Sequence, residues 1–277
     1  MVGPDGSARR NGRRFRHRVH PYRLSGAFLM VNDRVRRISV LKVPVDIVAP
    51  EDLEEVVKAM YSDGKNHQII LLSTADLMRA RRSGEFRTMV AGASLVIPIS
   101  MPIIKTAKFL KRPVPVRYEP FEFIVRLLSI LERWGKSAYM FGGSPKGLVQ
   151  ASKNIKATFP GLRVVGGHSA RFPKTLHPKI VEAIRKSAPT LLLVGKGVPG
   201  SERWIPRNMK NFNSGIQLWC SDVFEVFAER RSRPSAALFS KGAEWLHYLP
   251  RRPWIALRLF MSLRLQTISL WYRLRRK

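Results

Sequence analysis

Residues 137–146 read Ser-Ala-Tyr-Met-Phe-Gly-Gly-Ser-Pro-Lys, and this stretch decides the fold class. An apolar run of strand length passes through two glycines into a Ser-Pro pair, which is typical of a buried strand that turns directly into a helix. Free backbone N–H groups and the positive helix end would suit a diphosphate. Tight strand-to-helix turns also use glycine for geometric reasons alone, so both interpretations stay open.

The same alternation of short aliphatic runs and longer helical patterns continues along the chain. It predicts strands at residues 67–72, 94–98, 137–141, 162–165, 190–194 and 215–219. Helices are predicted at residues 52–61, 120–133, 145–158 and 175–187. Strands that alternate with helices favour an α/β fold, with a mostly parallel sheet flanked by helices.

The net charge of the chain limits the classes of partner that we expect it to bind. Its 277 residues include 50 Lys and Arg against 19 Asp and Glu, a net charge of +31. Self-repulsion on this scale calls for an anionic partner, such as nucleic acid, anionic lipid or a phosphate-bearing substrate. The single Cys220 excludes an internal disulfide framework and fits a cytosolic setting. No run of ~20 apolar residues predicts a transmembrane helix, so membrane contact would be peripheral.

Composition divides the chain into three regions. Residues 1–35 form a basic arm that we expect to be disordered, residues 36–229 an α/β domain, and residues 230–277 a basic appendage. In the appendage, Arg251, Arg252, Arg258 and Arg264 alternate with apolar residues such as Trp271. This pattern is typical of a helix that lies on an anionic membrane surface. The alternative is a terminal helix that packs its apolar side on the core.

Two glycine loops indicate a ligand site. Residues 194–204, Val-Gly-Lys-Gly-Val-Pro-Gly-Ser-Glu-Arg-Trp, follow an aliphatic strand as residues 141–146 do. Ligands bind at the carboxyl ends of parallel strands, so Gly142, Gly143 and Gly197 favour a nucleotide-sugar site there.

Two further side chains are candidates for contact with such a ligand. His168 follows a strand and could serve a phosphate or carry a proton, or be an ordinary loop residue. Arg117 could clamp a phosphate or be an exposed charge. The scattered histidines predict no metal site.

Six motifs resemble, in order, successive signatures of the WecG/TagA/CpsF glycosyltransferase family. They are residues 41–46 (LKVPVD), 80–87 (ARRSGEFR), 141–145 (FGGSP), 159–166 (FPGLRVVG), 195–208 and 242–246 (GAEWL). The resemblance implies a Rossmann-like core and inverting transfer of a sugar, often N-acetylmannosamine or its uronic acid. The donor would be a UDP-sugar and the acceptor polyprenyl-diphosphate-linked, with no metal or other cofactor required. It also implies a cytoplasmic protein held peripherally at the inner face of the cytoplasmic membrane by its appendage.

The chain departs from this family at several positions. Ile99 stands where the family has its catalytic aspartate, and Ser100 beside it is a poor substitute. Ser73, Glu122 and Ser201 replace a family asparagine, aspartate and glutamine, whereas Arg117 and Glu202 are retained. The substrate- and phosphate-binding candidates are therefore Ser73, Ser100, Arg117, Gly142, Gly143, His168, Gly197, Ser201 and Glu202. Glu119, Glu122 and Asp76 are the candidate replacement bases.

Two hypotheses about function remain side by side. The first is a divergent, active transferase. The second is a pseudoenzyme that keeps the fold and binds a nucleotide sugar or a partner transferase at the membrane. Nucleic acid is not expected as a partner, because the chain has no recognisable binding module for it. A homo-oligomer is left open.

Overall fold

The computed structural model describes residues 34–82, 84–250 and 257–274. The predicted arm lies outside the described residues as far as residue 33, as do Arg251 and Arg252 and the side chain of Arg258.

Eight strands and twelve helices make up the described residues. The strands are β1 Val35–Val40, β2 Val43–Val48, β3 Asn66–Leu72, β4 Leu95–Pro98, β5 Ser137–Phe141, β6 Arg163–His168, β7 Leu191–Gly195 and β8 Gly215–Ser221. The first six helices are α1 Leu53–Ser62, α2 Thr74–Ala80, α3 Gly84–Gly92, α4 Met101–Phe109, α5 Pro120–Arg133 and α6 Pro145–Thr158. The others are α7 His177–Ser187, α8 Trp204–Asn208, α9 Val223–Phe227, α10 Ala236–Lys241, α11 Glu244–Tyr248 and α12 Leu257–Leu274.

Strands β3 to β8 form one sheet in the order β4-β3-β8-β7-β5-β6, and every pairing in it is parallel. This confirms the predicted α/β class. Alternate residues of each central strand enter different cores, as with Leu193 on one face and Leu192 on the other. Helices α1, α5, α6 and α9 cover the first face, and the remaining large helices cover the second. Because both faces are buried, the central strands read as apolar runs, whereas the edge strand β6 is partly exposed.

An antiparallel hairpin of β1 and β2 precedes the sheet, and the sequence analysis did not predict it. Its turn places Leu41 and Lys42 at φ of 51° and 69°, without the Asn or Gly that usually marks such a turn. The Arg37 guanidinium donates to both oxygens of Asp46 at 2.7 Å, and Asp46 Oδ2 accepts the Val96 amide at 2.7 Å. The buried Asp46 carboxylate therefore ties the hairpin to β4.

Helix α12 has two apolar faces. One face, with Leu265, Ile268 and Tyr272, packs on the core beside α2 and α4. The other exposes Phe260, Leu263, Leu270, Trp271 and Leu274. No helix of the described ranges is long and apolar enough to cross a bilayer. The predicted appendage is thus docked on the domain and still carries an uncovered apolar stripe.

Candidate active site

A wide cleft opens at the carboxyl ends of β5, β7 and β8, with a volume of about 990 Å³. The loops after these strands line it, through residues that include Gly143, Ser144, Lys196, Gly197 and Asp222. This is the edge at which open parallel sheets bind their ligands. The two glycine loops singled out in the sequence therefore lie side by side at one cleft.

The backbone amides of the two glycines after β5 are hydrogen-bonded to the end of β6 and to the segment that follows β7, so they are not free to bind a ligand. The Gly142 amide donates to the His168 carbonyl and the Gly143 amide to the Lys196 carbonyl, each at 2.8 Å. A Cβ on Gly142 would lie 2.7 Å from the Gly195 carbonyl carbon, so only glycine fits this approach. A phosphate would meet other donors, namely the amides of Ser144 and Lys146, which have no hydrogen-bond partner among the described residues.

Acidic and basic side chains share the wide cleft. Ser144 Oγ donates to Glu225 at 3.1 Å and accepts from Arg230 at 3.3 Å, so a carboxylate already stands beside the start of α6. Arg231 pairs with Asp222, and its guanidinium lies 5.2 Å from the Tyr248 ring. These residues were not predicted from the sequence. Their only signal was a basic run directly after β8 and its short helix.

His168 and Ser201 are not among the residues that line the wide cleft, and His168 is half-buried. His168 Nδ1 is 2.8 Å from the Ser169 carbonyl, which can only accept, so Nδ1 carries the hydrogen and Nε2 of the neutral ring is the acceptor. Its ring meets Phe172 edge to face at 5.5 Å. Ser201 is exposed, with a left-handed φ of 53°.

A second group of predicted residues meets at the ends of β3 and β4. We call Ser73, Thr74, Asp76, Ile99 and Ser100 the β3–β4 rim. The Ile99 amide donates to the Leu72 carbonyl at 3.1 Å, and the Thr74 amide donates to Ser100 Oγ at 3.2 Å. Ser73 Oγ donates to Asp76 Oδ2 at 2.6 Å. The hydroxyls of Ser73 and Ser100 are therefore both engaged with neighbouring groups of the rim.

Arg117 lies under the appendage and is not a solvent-facing charge. Its side chain is 8% exposed, and Nε donates to the Ile99 carbonyl at 3.0 Å. The guanidinium stacks 3.8 Å from the Phe239 ring and pairs with Glu244. Burial lowers the pKa of Arg117 to about 10, which leaves it protonated at neutral pH. A phosphate clamp at Arg117 would have to replace these contacts.

The other acidic candidates have partners or face solvent. Glu119 caps α5, with Oε2 accepting the Glu122 amide at 2.7 Å, and burial raises the Glu119 pKa. The Glu122 side chain is exposed. Glu202 pairs with Arg79, which links the loop after β7 to α2.

Comparison with known proteins gives evidence that is independent of the structure. A profile of the glycosyl transferase WecG/TagA/CpsF family matches residues 38–277. The chain belongs to this family. A relative, the N-acetylglucosaminyldiphosphoundecaprenol N-acetyl-beta-D-mannosaminyltransferase of Bacillus spizizenii, is 19% identical over 198 residues, which cover 71% of this chain and 76% of the relative. Membership in the WecG/TagA/CpsF family confirms the resemblance seen in the motifs, and its profile extends through α10, α11 and α12.

Proposed function

We propose that this member of the family transfers an N-acetylmannosamine-like sugar from a UDP donor to a polyprenyl-diphosphate-linked acceptor, in the synthesis of a cell-surface polysaccharide. The observation that carries the proposal is the family match over residues 38–277 together with the wide cleft at the carboxyl edge of the sheet. The relative from Bacillus spizizenii is named for such a transfer.

The wide cleft suits an anionic donor. Lys196, Arg230 and Arg231 line it beside the start of α6, whose amides at Ser144 and Lys146 are unpartnered among the described residues. Cations and helix amides together favour a diphosphate. Gly142, Gly143 and Gly197 shape the backbone at this place, as Gly197 shows with its φ of 92°.

The exposed stripe of α12 supports a membrane role. Phe260, Leu263, Leu270 and Trp271 repeat at helical spacing, and Arg264 and Arg273 flank them. An amphipathic face of this kind enters the interface of an anionic bilayer. Docking there would place the protein peripherally at the inner face of the cytoplasmic membrane, where a polyprenyl-linked acceptor resides.

A second candidate is a pseudoenzyme that binds a nucleotide sugar or a partner transferase without turnover. Two observations favour it. Ile99 cannot accept a proton at the position of the family's aspartate, and Arg117 is engaged by Phe239 and Glu244 rather than by an open site. Glu119, Glu122 and Asp76 are the carboxylates that an active enzyme could use instead.

An assay for the transfer of labelled sugar decides between the active enzyme and the pseudoenzyme. The full chain is incubated with labelled UDP-N-acetylmannosamine and a lipid-diphosphate acceptor, beside Ile99→Asp, and UDP binding is followed by calorimetry. Activity of the unaltered chain supports the enzyme. Activity in Ile99→Asp alone supports the pseudoenzyme, and absence of any heat with UDP or UDP-sugars contradicts both.

Sedimentation with anionic vesicles tests the membrane role. Replacing Leu270 and Trp271 together by Glu should weaken binding at least tenfold, since each buried apolar side chain contributes about 1.5–3 kcal/mol. Replacing Gln266 and Thr267 together by Glu, on the same helix and also exposed, is the matched control for the two added charges. Equal loss in both variants would indicate a purely electrostatic attachment.

A further inference from the structure

The proposed transfer must dispose of one proton, and this inference rests on that proposed function. As the acceptor oxygen forms its bond to the sugar carbon, the neutral hydroxyl loses its hydrogen. A group that takes this proton typically accelerates such a step 10²- to 10⁴-fold. The transfer therefore requires a carboxylate or a neutral imidazole close to the cleft to accept this proton.

Several carboxylates at the carboxyl edge of the sheet are neutralised by arginine. Asp222 pairs with Arg231, Glu202 with Arg79 and Glu244 with Arg117. A carboxylate held by a guanidinium is a weak base, because the positive charge favours the ionised form. Asp76 has no ion pair within 4.0 Å among the described residues. Glu229 of the cleft wall has none either, but Glu229 is exposed, whereas Asp76 is held by the Ser73 hydroxyl.

The surroundings of Asp76 favour its protonated form. Burial raises its pKa above the ordinary aspartate range, and the charge of Glu202 on the loop after β7 adds to the rise. Hydrogen bonds from Ser73 and the charge of Arg79 act in the opposite direction and are weaker than the burial. Oδ1 accepts no hydrogen bond within the described part of the chain, whereas Oδ2 accepts both the Ser73 amide at 3.1 Å and the Ser73 hydroxyl at 2.6 Å.

The loop after β7 connects the wide cleft to the start of α2. Lys196 and Gly197 of this loop line the cleft. Glu202, farther along the same loop, pairs with Arg79 of α2, the helix whose N-cap is Ser73. Ser73 and Asp76 therefore lie at the start of a helix that an ion pair holds against the cleft loop.

We infer that Ser73 and Asp76 form the proton relay of the transfer, with Ser73 touching the acceptor hydroxyl and Asp76 taking the proton behind it. The acceptor oxygen forms its bond to the anomeric carbon as the bond from that carbon to the UDP oxygen breaks, and UDP leaves with the electron pair. The acceptor's proton passes to Ser73 Oγ while the Ser73 hydrogen passes to Asp76 Oδ2. The aspartic acid then returns its proton to solvent.

The same pair also serves the fold. Ser73 is the N-cap of α2, and Ser73 and Asp76 form a capping box. The two roles separate in Asp76→Asn, because the asparagine oxygen can still accept the Ser73 amide but cannot take up a proton. Ser73→Thr likewise keeps both the cap and the hydroxyl, whereas Ser73→Ala removes both.

Rates of sugar transfer across pH test the relay in the full chain. The unaltered protein should lose kcat as pH falls through the Asp76 pKa, which lies above the ordinary aspartate range. Asp76→Asn should lower kcat by 10²- to 10⁴-fold, abolish that acidic limb and leave UDP binding unchanged. Ser73→Ala should lose activity and Ser73→Thr retain it. Glu182→Gln, in an exposed pair with Arg185 on α7, is the control for loss of a carboxylate.

Each alternative outcome has a distinct meaning. If the unaltered chain transfers no sugar although it binds UDP, the proposed function fails and the relay with it. If the chain is active and Asp76→Asn keeps both its rate and its acidic limb, the relay alone is wrong. A larger loss in Glu119→Gln than in Asp76→Asn would assign the base to the start of α5. Circular dichroism of every variant separates loss of fold from loss of rate.

Discussion

The wide cleft and the β3–β4 rim lie at the same edge of one sheet, yet they are built differently. At the wide cleft, backbone glycines bring β5 and β7 together and leave about 990 Å³ open. At the rim, side chains are bound to one another, as with Ser73 and Asp76, and beside it Arg117 is bound to Glu244 of the appendage. The cleft is shaped for a ligand to enter, whereas the rim holds its groups in place before any ligand arrives.

The largest effect is expected when a methyl group is added to a glycine at the wide cleft. Gly142→Ala places a Cβ within 2.7 Å of the Gly195 carbonyl carbon and oxygen, at a φ of 123° that favours glycine. Overpacking and backbone strain together should cost roughly 3 kcal/mol of unfolding free energy or more. Chemical denaturation of the variant and the unaltered protein measures this loss of unfolding free energy.

Gly64→Ala is the control, because its φ of 69° is also positive but no atom lies within 4 Å of the added Cβ. It should lose about 1 kcal/mol. If the two variants lost the same amount, the close approach of β5 and β7 would not be what requires glycine at residue 142.

The next largest effect is expected beside the rim, where Arg117 contacts the appendage. Arg117→Ala leaves the carboxylate of Glu244 without its partner and removes the contact with Phe239, so unfolding free energy should fall by roughly 3 kcal/mol. Arg133→Ala, in an exposed pair with Glu54, should lose less than about 1 kcal/mol.

A double-mutant cycle with Glu244→Gln measures the coupling across the Arg117 contact. Limited proteolysis of residues 230–250 should accelerate in Arg117→Ala. A coupling near zero, with unchanged proteolysis, would show that the appendage is held by other contacts.

A smaller effect is expected at the ion pair between Glu202, on the loop after β7, and Arg79 of α2. Glu202→Gln removes the ion pair with Arg79, which is partly exposed, so unfolding free energy should fall by about 1 kcal/mol. Loss of the negative charge should also lower the pKa of Asp76, because Glu202 contributes to its rise. Carboxyl carbon resonances followed through an acid titration measure that pKa. A pKa unchanged by the substitution would disconnect the two regions.

The smallest effect is expected from Asp76→Asn on stability. The pKa of Asp76 is raised by folding, so its ionised form opposes the folded state above that pKa, and the penalty disappears as pH falls below it. The variant should therefore match or slightly exceed the unaltered protein at neutral pH, by less than about 1 kcal/mol, and the gain should vanish in acid. Thermal unfolding across pH measures this. Clear destabilisation at neutral pH would make the capping role dominant.

The outline of the fold followed from local patterns, and the exceptions have physical causes. Strands buried on both faces read as apolar runs, and all six strands of the parallel sheet were predicted from them. The hairpin of β1 and β2 was missed because its turn uses Leu41 and Lys42 in place of glycine or asparagine. Helices α2, α3 and α4 were also missed, since they are short and stabilised by packing more than by any long amphipathic period.

The candidate site was predicted in part. Glycine turns after strands and the order of the motifs indicated the cleft and the family, because parallel strands deliver their ends to one edge. The cleft residues Asp222, Glu225 and Tyr248 gave no such signal. Their place depends on how the segment after β8 folds back over the sheet, which no local pattern records.

The sequence by itself therefore determined the sheet and the family, because periodicity and motif order are properties of the chain. Tertiary structure decided which groups are free to act. Only the packed strand ends show that the amides of Gly142 and Gly143 are already bonded and that those of Ser144 and Lys146 have no partner within residues 34–82, 84–250 and 257–274. Only the packed appendage shows Arg117 held by Glu244. In the part of the chain that the structure describes, Asp76 has no ion pair, because burial and partners are set by residues far apart in the sequence.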